Sequence, residues 1–262
     1  MTILDKIILR KREEVAAAKA SVPESALLDM EGFGRSSFSL RESLLDPSRN
    51  GIIAEFKRSS PSKGVINASS SVAEVVSGYE AAGASAVSVL TDKEFFGGSL
   101  EDLAEARKHL TIPLLRKDFI IDRYQITEAK AYGADIILLI AASLTPAEVK
   151  DFSEYAQKLG LSVLLEVHQL SELLPNLLES VDAIGVNNRN LHDFKVDIAH
   201  SVRLAAEIPL GFLKISESGL DNVQTVLRLR EAGFQGFLMG EHFMKTEDPA
   251  QAIKRFATEI GG

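Results

Sequence analysis

Glu55 and Lys57 close the short run Ile53-Ala54-Glu55-Phe56-Lys57, and Glu166 and Lys117 close two other apolar runs of the chain. An ammonium group beside a carboxylate is the pairing that general acid and base catalysis asks for: one group gives a proton to a developing oxyanion, the other takes one from carbon or nitrogen. The charges are useful only if they meet. Side chains on a strand alternate between two faces, so Ile53, Glu55 and Lys57 share one face, as do Leu115, Lys117 and Phe119. In Val163-Leu164-Leu165-Glu166-Val167 the wholly apolar set Val163, Leu165 and Val167 belongs against helices, which leaves Leu164 and Glu166 facing inward. In Gly185-Val186-Asn187-Asn188-Arg189 the inward set is Gly185, Asn187 and Arg189, and further on Lys214, Ser216 and Ser218 align.

Isolated pairs, Glu55 with Lys57 and Glu166 with Lys117, could be no more than satisfied ion pairs plugging a barrel. Burying the whole set without function would cost several kcal/mol for each unpaired ion, which favours catalysis for the constellation. Glycines follow two further strand-like runs, in Ser216-Glu217-Ser218-Gly219 and Met239-Gly240-Glu241. Backbone N–H groups there can approach an anion, and the helix that follows adds its dipole, so this end of the site suits a phosphate. The histidines are scattered. His168, His192 and His242 lie near strand ends without a metal-ligand spacing, and no metal is expected.

The elements that position these groups repeat from residue 51 onward as a short apolar run, a polar loop and a longer helical period. Eight runs recur: Gly51 to Phe56, Ala86 to Leu90, Ile112 to Arg116, Asp135 to Ile140, Ser162 to Val167, Ala183 to Val186, Phe212 to Ser216 and Gly236 to Met239. Helical spacing occupies Val72 to Ala82, Asp122 to Tyr132, Pro146 to Leu159 and Asn222 to Ala232, and glycines at 83, 133 and 233 end three of these segments. Alternating strand and helix demands a parallel sheet, and eight repeats favour closure. The expected fold is an α/β (β/α)8 TIM barrel spanning residues 51–262, with residues 1–50 as an N-terminal helical extension of the same domain. Ile3 to Ala20 predicts a helix that covers the bottom or edge of the barrel; a lid over the site is the less favoured role.

Bulk composition agrees. The 262 residues match the ~250 typical of one such barrel. A net charge of -8 without a concentrated basic block argues against nucleic acid as a partner. The absence of cysteine excludes disulfides and thiolate chemistry and fits a reducing cytoplasm. Neither a signal-peptide core nor a run of the ~20 apolar residues needed for a membrane span is visible, so no membrane partner is expected.

The sequence closely resembles the indole-3-glycerol phosphate synthase family over nearly its whole length. The resemblance is carried by Ile53-Ala54-Glu55-Phe56-Lys57-Arg58-Ser59-Ser60-Pro61-Ser62-Lys63-Gly64, Leu90-Thr91-Asp92 with Phe95-Phe96-Gly97-Gly98-Ser99, Leu115-Arg116-Lys117-Asp118-Phe119, Leu165-Glu166-Val167, Ile184-Gly185-Val186-Asn187-Asn188-Arg189 and Ser216-Glu217-Ser218-Gly219. It implies closure of an indole ring on a phosphorylated substrate with loss of carbon dioxide and water, and no cofactor. It implies Lys117 as the acid on the substrate carbonyl, Glu166 as stabiliser of the developing cation and base in dehydration, Lys57 as holder of the substrate carboxylate or a second acid, and Glu55 as a group that orients or accepts a proton. It further implies Asn187, Arg189 and Ser218 as substrate ligands, with Glu217 supporting the lysines. Ser60, Gly219, Gly240 and Glu241 fall at the phosphate end, and Phe95, Phe96 and Phe119 around the aromatic ring. Position 241 departs from relatives that carry serine there; a Glu241 side chain turned outward leaves its N–H for the anion. A lysine and a carboxylate sharing one cavity are expected to push each other's proton affinity toward neutrality, and Ser59 to Gly64 reads as a loop that closes over the substrate. An isomerase-type phosphate barrel, such as phosphoribosylanthranilate isomerase, is disfavoured by Glu55-x-Lys57 and Lys117-Asp118-Phe119. A non-catalytic barrel that merely binds a phosphorylated ligand or a partner subunit would show substituted catalytic positions, and none is seen. A monomer or weak homo-oligomer is expected.

Overall fold

In the computed structural model, which describes residues 2–61, 63–189 and 195–261, eight parallel strands close into a barrel. The strands are β1 (Ile52–Phe56), β2 (Ala86–Leu90), β3 (Leu114–Lys117), β4 (Ile136–Ile140), β5 (Ser162–Val167), β6 (Ala183–Asn187), β7 (Leu213–Glu217) and β8 (Gly236–Met239). Each pairs with its sequence neighbour, and β8 closes on β1 with Ile53 beside Leu238. Strands covered on both faces read as continuous apolar runs rather than alternating ones, which is why Ile-Ile-Leu-Leu-Ile of β4 is buried throughout. Strand β3 begins two residues later than its apolar run because Pro113 has no N–H to donate to the ladder.

Inside the cylinder, Ile53, Leu115, Leu138, Leu164, Leu213, Ile215 and Leu238 pack together, while Val87, Val89, Val163, Leu165, Val167 and Phe237 meet the helices. The helices run from Val72 to Ala81, Arg123 to Ala131, Pro146 to Lys158 and Val223 to Glu231, within a residue of the expected segments. Gly83, Gly133 and Gly233 follow three of them with φ of 83°, 91° and 89°, the left-handed conformation that ends a helix.

The N-terminal extension divides between the two ends of the barrel. The helix Leu40–Leu45 plugs the floor: Leu40 and Leu44 join the interior cluster, and Ser43 Oγ donates to the carbonyl of Ser85 just before β2. The first helix, Ile3–Ser21, lies instead at the opposite mouth, where Ile3, Leu4 and Ile7 line the cavity described below. The expected cover of the bottom or edge is therefore corrected to a cover at the mouth, the position of the less favoured alternative. The physical cause is Lys11, which stands in the buried stripe Ile7, Lys11 and Val15 and places its Nζ 2.9 Å from both Asp92 and Asp118, beyond the C-terminal ends of β2 and β3. Ser62 of the predicted closing loop and His192 lie outside the described residues; on either side of Ser62, Ser59–Ser60 and Gly64–Val65 pair as a short antiparallel ribbon. Among the described residues no helix is long and apolar enough to cross a membrane.

Candidate active site

A cavity of about 470 Å³ opens at the C-terminal mouth of the barrel. Its wall takes Glu55 and Lys57 from β1 and its end, Lys117 from β3, Glu166 from β5, Asn187 from β6 and Glu217 from β7. Ser60, Phe96, Phe119, Arg189, Ser218, Gly219, Gly240 and Glu241 line it as well. Of the residues to which the resemblance gives a role, Phe95 alone is absent from the wall. It precedes Phe96 on the short helix Lys93–Phe96, and it is Phe96 that reaches Phe119, with ring centroids 6.1 Å apart.

The alignment of Lys214, Ser216 and Ser218 is a second correction. Leu213 and Ile215 fill the interior, so Lys214 and Ser216 point into the helix layer and Glu217 points into the barrel. Lys214 runs its aliphatic stem outward and donates from Nζ to the carbonyl of Ala205 at 2.7 Å. Ser218 reaches the cavity because the chain turns directly after the strand: it has a φ of 67°, and Gly219 follows with 69°. Asn188, buried behind this turn, holds it by donating from Nδ2 to Ser216 Oγ and to the carbonyls of Glu217 and Ser218, at 3.0, 2.9 and 2.8 Å. Ser201 in turn donates to Asn188 Oδ1.

The charges form one connected set. Lys117 Nζ lies 3.4 Å from Glu166 Oε2 and 3.5 Å from Glu217 Oε2, and Lys57 Nζ lies 2.8 Å from Glu55 Oε1. Asn187 Nδ2 donates to Glu166 Oε1 at 3.1 Å, which fixes the second oxygen of that carboxylate. Proton affinities follow from this geometry. Burial by itself would weaken the Lys117 ammonium, but Glu217, Glu166 and Glu55 outweigh it and hold the lysine above its ordinary range. Burial also opposes ionisation of Glu166, yet Lys117, then His168 and the Asn187 amide, lower its carboxyl. Glu217, desolvated and facing the negative charges of Glu166 and Glu55, is pushed up to about 8 despite Lys117. The expectation that acid and base approach neutrality is thus corrected for Lys117 and Glu166, whose close opposite charges stabilise each other. Burial and the repulsion from Glu166 and Glu55 are what favour the neutral form of Glu217.

Beneath Lys117, a buried network that the sequence reading left without a role anchors the strand end. Arg116 pairs with Glu128 at 2.8 Å and Asp118 at 3.1 Å, and Asp118 accepts from Thr91 and from the N–H of Phe119. Burial would raise the Asp118 carboxyl, but Arg116 and Lys11 hold it down at about 2. The readable signal was Lys11 itself, a charge at helical spacing between Ile7 and Val15. Glycine is required at 240 for a comparable reason. A Cβ there would meet Glu55 Oε1 at 2.6 Å and Glu55 Cβ at 2.8 Å, so β8 can pass the Glu55 side chain only without one. The Glu241 carboxylate turns toward Lys63 on the ribbon, 3.7 Å away.

A closed parallel barrel of eight strands with a charged, glycine-edged cavity at its C-terminal mouth defines a TIM-barrel enzyme. Solved structures agree at the level of fold: 3-hexulose-6-phosphate synthase from Salmonella typhimurium matches with a TM-score of 0.63 and 11% identity over 80% of this chain and 98% of its own. A chain of the tryptophan synthase α2β2 complex from Pyrococcus furiosus matches with a TM-score of 0.60 and 14% identity over 81% and 98%. The chain belongs to the indole-3-glycerol phosphate synthase family, whose model matches residues 4–256. Curated relatives of that name are 47% identical in Bacteroides thetaiotaomicron over 98% of both chains, and 44% identical in Salinibacter ruber over 99% of this chain and 96% of the relative.

Proposed function

We propose that this site performs the reaction for which its family is named: ring closure of 1-(2-carboxyphenylamino)-1-deoxyribulose 5-phosphate to indole-3-glycerol phosphate, with loss of carbon dioxide and water, in tryptophan biosynthesis. The observation that carries the reading is the Lys117 ammonium, held charged between Glu166 and Glu217 at the wall of the cavity. Lys117 protonates the substrate carbonyl oxygen as the ring carbon attacks the carbonyl carbon. The rest of the ring and its amine nitrogen become cationic at that moment, and ionised Glu166 stabilises that charge until carbon dioxide leaves and returns its bonding pair to the ring. In the dehydration that follows, Glu166 takes a proton from the methylene carbon beside the nitrogen. The oxygen departs as water with two protons, one matching that loss and one drawn from the medium through the lysine.

Lys57 holds the substrate carboxylate, and Glu55 orients that ammonium across 2.8 Å. Asn187, Arg189 and Ser218 bind the substrate, Glu217 supports Lys117, and Phe96 and Phe119 with the Ile3, Leu4 and Ile7 edge of the first helix receive the aromatic ring. The backbone donors at Ser60, Gly219, Gly240 and Glu241 receive the phosphate. Phe95 supports the pocket from outside its wall. One barrel domain with residues 1–50 as its extension, working as a monomer or weak homo-oligomer in a reducing cytoplasm, suits a cysteine-free chain acting on a small phosphorylated metabolite. Purified protein incubated with the carboxyphenylamino substrate should develop indole fluorescence; folded protein that gives no product would overturn the proposal.

A further inference from the structure

His168 stands two residues beyond Glu166, just past the end of β5, and takes no part in the cavity wall. Its side chain is 13% exposed, and both ring nitrogens are buried without a hydrogen bond. Each instead faces a carboxylate at ion-pair distance: Nε2 lies 3.5 Å from Glu166 Oε1 and Nδ1 3.6 Å from Glu172 Oε2. Glu172, on the short helix Leu170–Leu173, is locked in place by the N–H of His168 at 2.7 Å and by Gln169 Nε2 at 3.1 Å. The ring is therefore clamped between a catalytic carboxylate and a fixed structural one. A neutral imidazole in that position would set the lone pair of one buried nitrogen against a carboxylate, whereas an imidazolium places positive charge between the two anions.

We propose that His168 is a positioning residue for Glu166: carried as an imidazolium between Glu166 and Glu172, it holds the Glu166 carboxylate in place and ionised for the reaction. This rests on the role given to Glu166 above. The charged and titratable groups around it come from every neighbouring element. They are Glu166 on β5, Glu172 on the helix that follows, Glu217 across the barrel on β7, and Lys117 on the far side of Glu166. His200, on the helix Ile198–Ala205, sets its Nε2 2.6 Å from the carbonyl of His168. Burial would lower the His168 imidazolium, but Glu172, Glu166 and Glu217 together raise it above the ordinary histidine value. Glu166 thus has a cation or amide at each oxygen: Lys117 at Oε2, and Asn187 with His168 at Oε1.

The test has a ligand-free arm and a turnover arm. In the ligand-free protein, NMR titration of the His168 ring should give a midpoint above that of an ordinary histidine. Glu166→Gln and Glu172→Gln should each lower it by about half a unit or more, since each removes one facing anion. In turnover, His168→Gln should leave KM within about twofold and displace the acid limb of the kcat profile to higher pH, because Glu166 loses a neighbouring cation. Half a unit of displacement is about a threefold lower kcat on that limb. Glu172→Gln, which keeps the ring, should move the limb the same way by less, and decides the kinetic arm if His168→Gln does not fold. A His168 midpoint that neither substitution moves, or an acid limb left in place by a folded variant, overturns the proposal. Wild-type protein that makes no indole product defeats the functional reading instead, and the ligand-free midpoint still decides whether His168 is clamped as a cation.

Discussion

Glu217 folds its carboxylate across Gly185, so closely that a Cβ at position 185 would lie 2.1 Å from Glu217 Oε1 and 3.1 Å from Leu164 Cδ1. The missing side chain on β6 is what lets a carboxylate from β7 reach Lys117 on β3 across the barrel mouth. Gly185→Ala should therefore displace Glu217 and, through it, the ammonium it supports. The expected cost is about 100-fold in kcat, the scale on which a misplacement of one ångström acts, together with about 1–3 kcal/mol of stability from overpacking. Steady-state indole fluorescence and urea unfolding measure the two separately; normal kcat in the folded variant would show that Glu217 does not need this register.

Lys117→Ala should lower kcat by about 10²–10⁴-fold, the usual contribution of a general acid, while the substrate still binds through Lys57, Arg189 and the phosphate end. Turnover assays paired with equilibrium titration of the substrate separate the two effects. Retention of near-normal turnover would remove Lys117 from the role of acid.

Lys11→Ala should destabilise the protein by about 3–5 kcal/mol, because Asp92 and Asp118 stay buried after their shared cation is gone. The Lys11→Met/Asp92→Asn pair should recover much of that loss, which urea unfolding can check. In turnover, the same single variant should raise KM, since Ile3, Leu4 and Ile7 form part of the cavity wall. The pH dependence has a definite sign. The Asp118 carboxyl is depressed, so its contribution is present above its ordinary value of 3.8 and is lost as pH falls toward about 2. Without Lys11 the depression shrinks, and acid unfolding should begin at a higher pH than in the wild type.

Glu217 titrates with the opposite sign. Its carboxyl is raised from 4.5 to about 8, so the stability tied to its neutral form is present below 4.5 and is lost as pH rises through about 8. Glu217→Gln keeps the neutral shape and removes the titration. The difference in Tm between the variant and the wild type should therefore move in favour of the variant as pH is raised across that window. A difference that stays flat would mean that Glu217 is ionised in the resting site.

Much of the site was legible because strand alternation is a local rule. The parity of Ile53, Glu55 and Lys57, of Leu164 and Glu166, and of Gly185 and Asn187 could be read directly, and each of these sets faces the interior as that parity requires. The rule misled at β7, where Lys214 and Ser216 carry polar groups but Leu213 and Ile215 fill the cylinder better. Apolar volume decided the facing, and the lysine found a carbonyl in the helix layer. Phe95 and Phe96 are adjacent and chemically identical, so only the direction of a four-residue helix separates the one on the cavity wall from the one behind it.

By itself, the order of residues determined the alternation of strand and helix, the eightfold repeat that closes the sheet, and which strand ends carry charge, because these depend on hydrophobic periods of two and 3.6 within a short window. Only the tertiary structure decided which carboxylates share Lys117, that Glu217 is the carboxyl its neighbours push up, and that the first helix caps the mouth while Leu40 and Leu44 seal the floor. These outcomes turn on how strands distant in the chain are staggered around the cylinder and on electrostatic coupling across a desolvated cavity. Such coupling acts over a few ångströms in space between groups as far apart in sequence as Lys117 and Glu217.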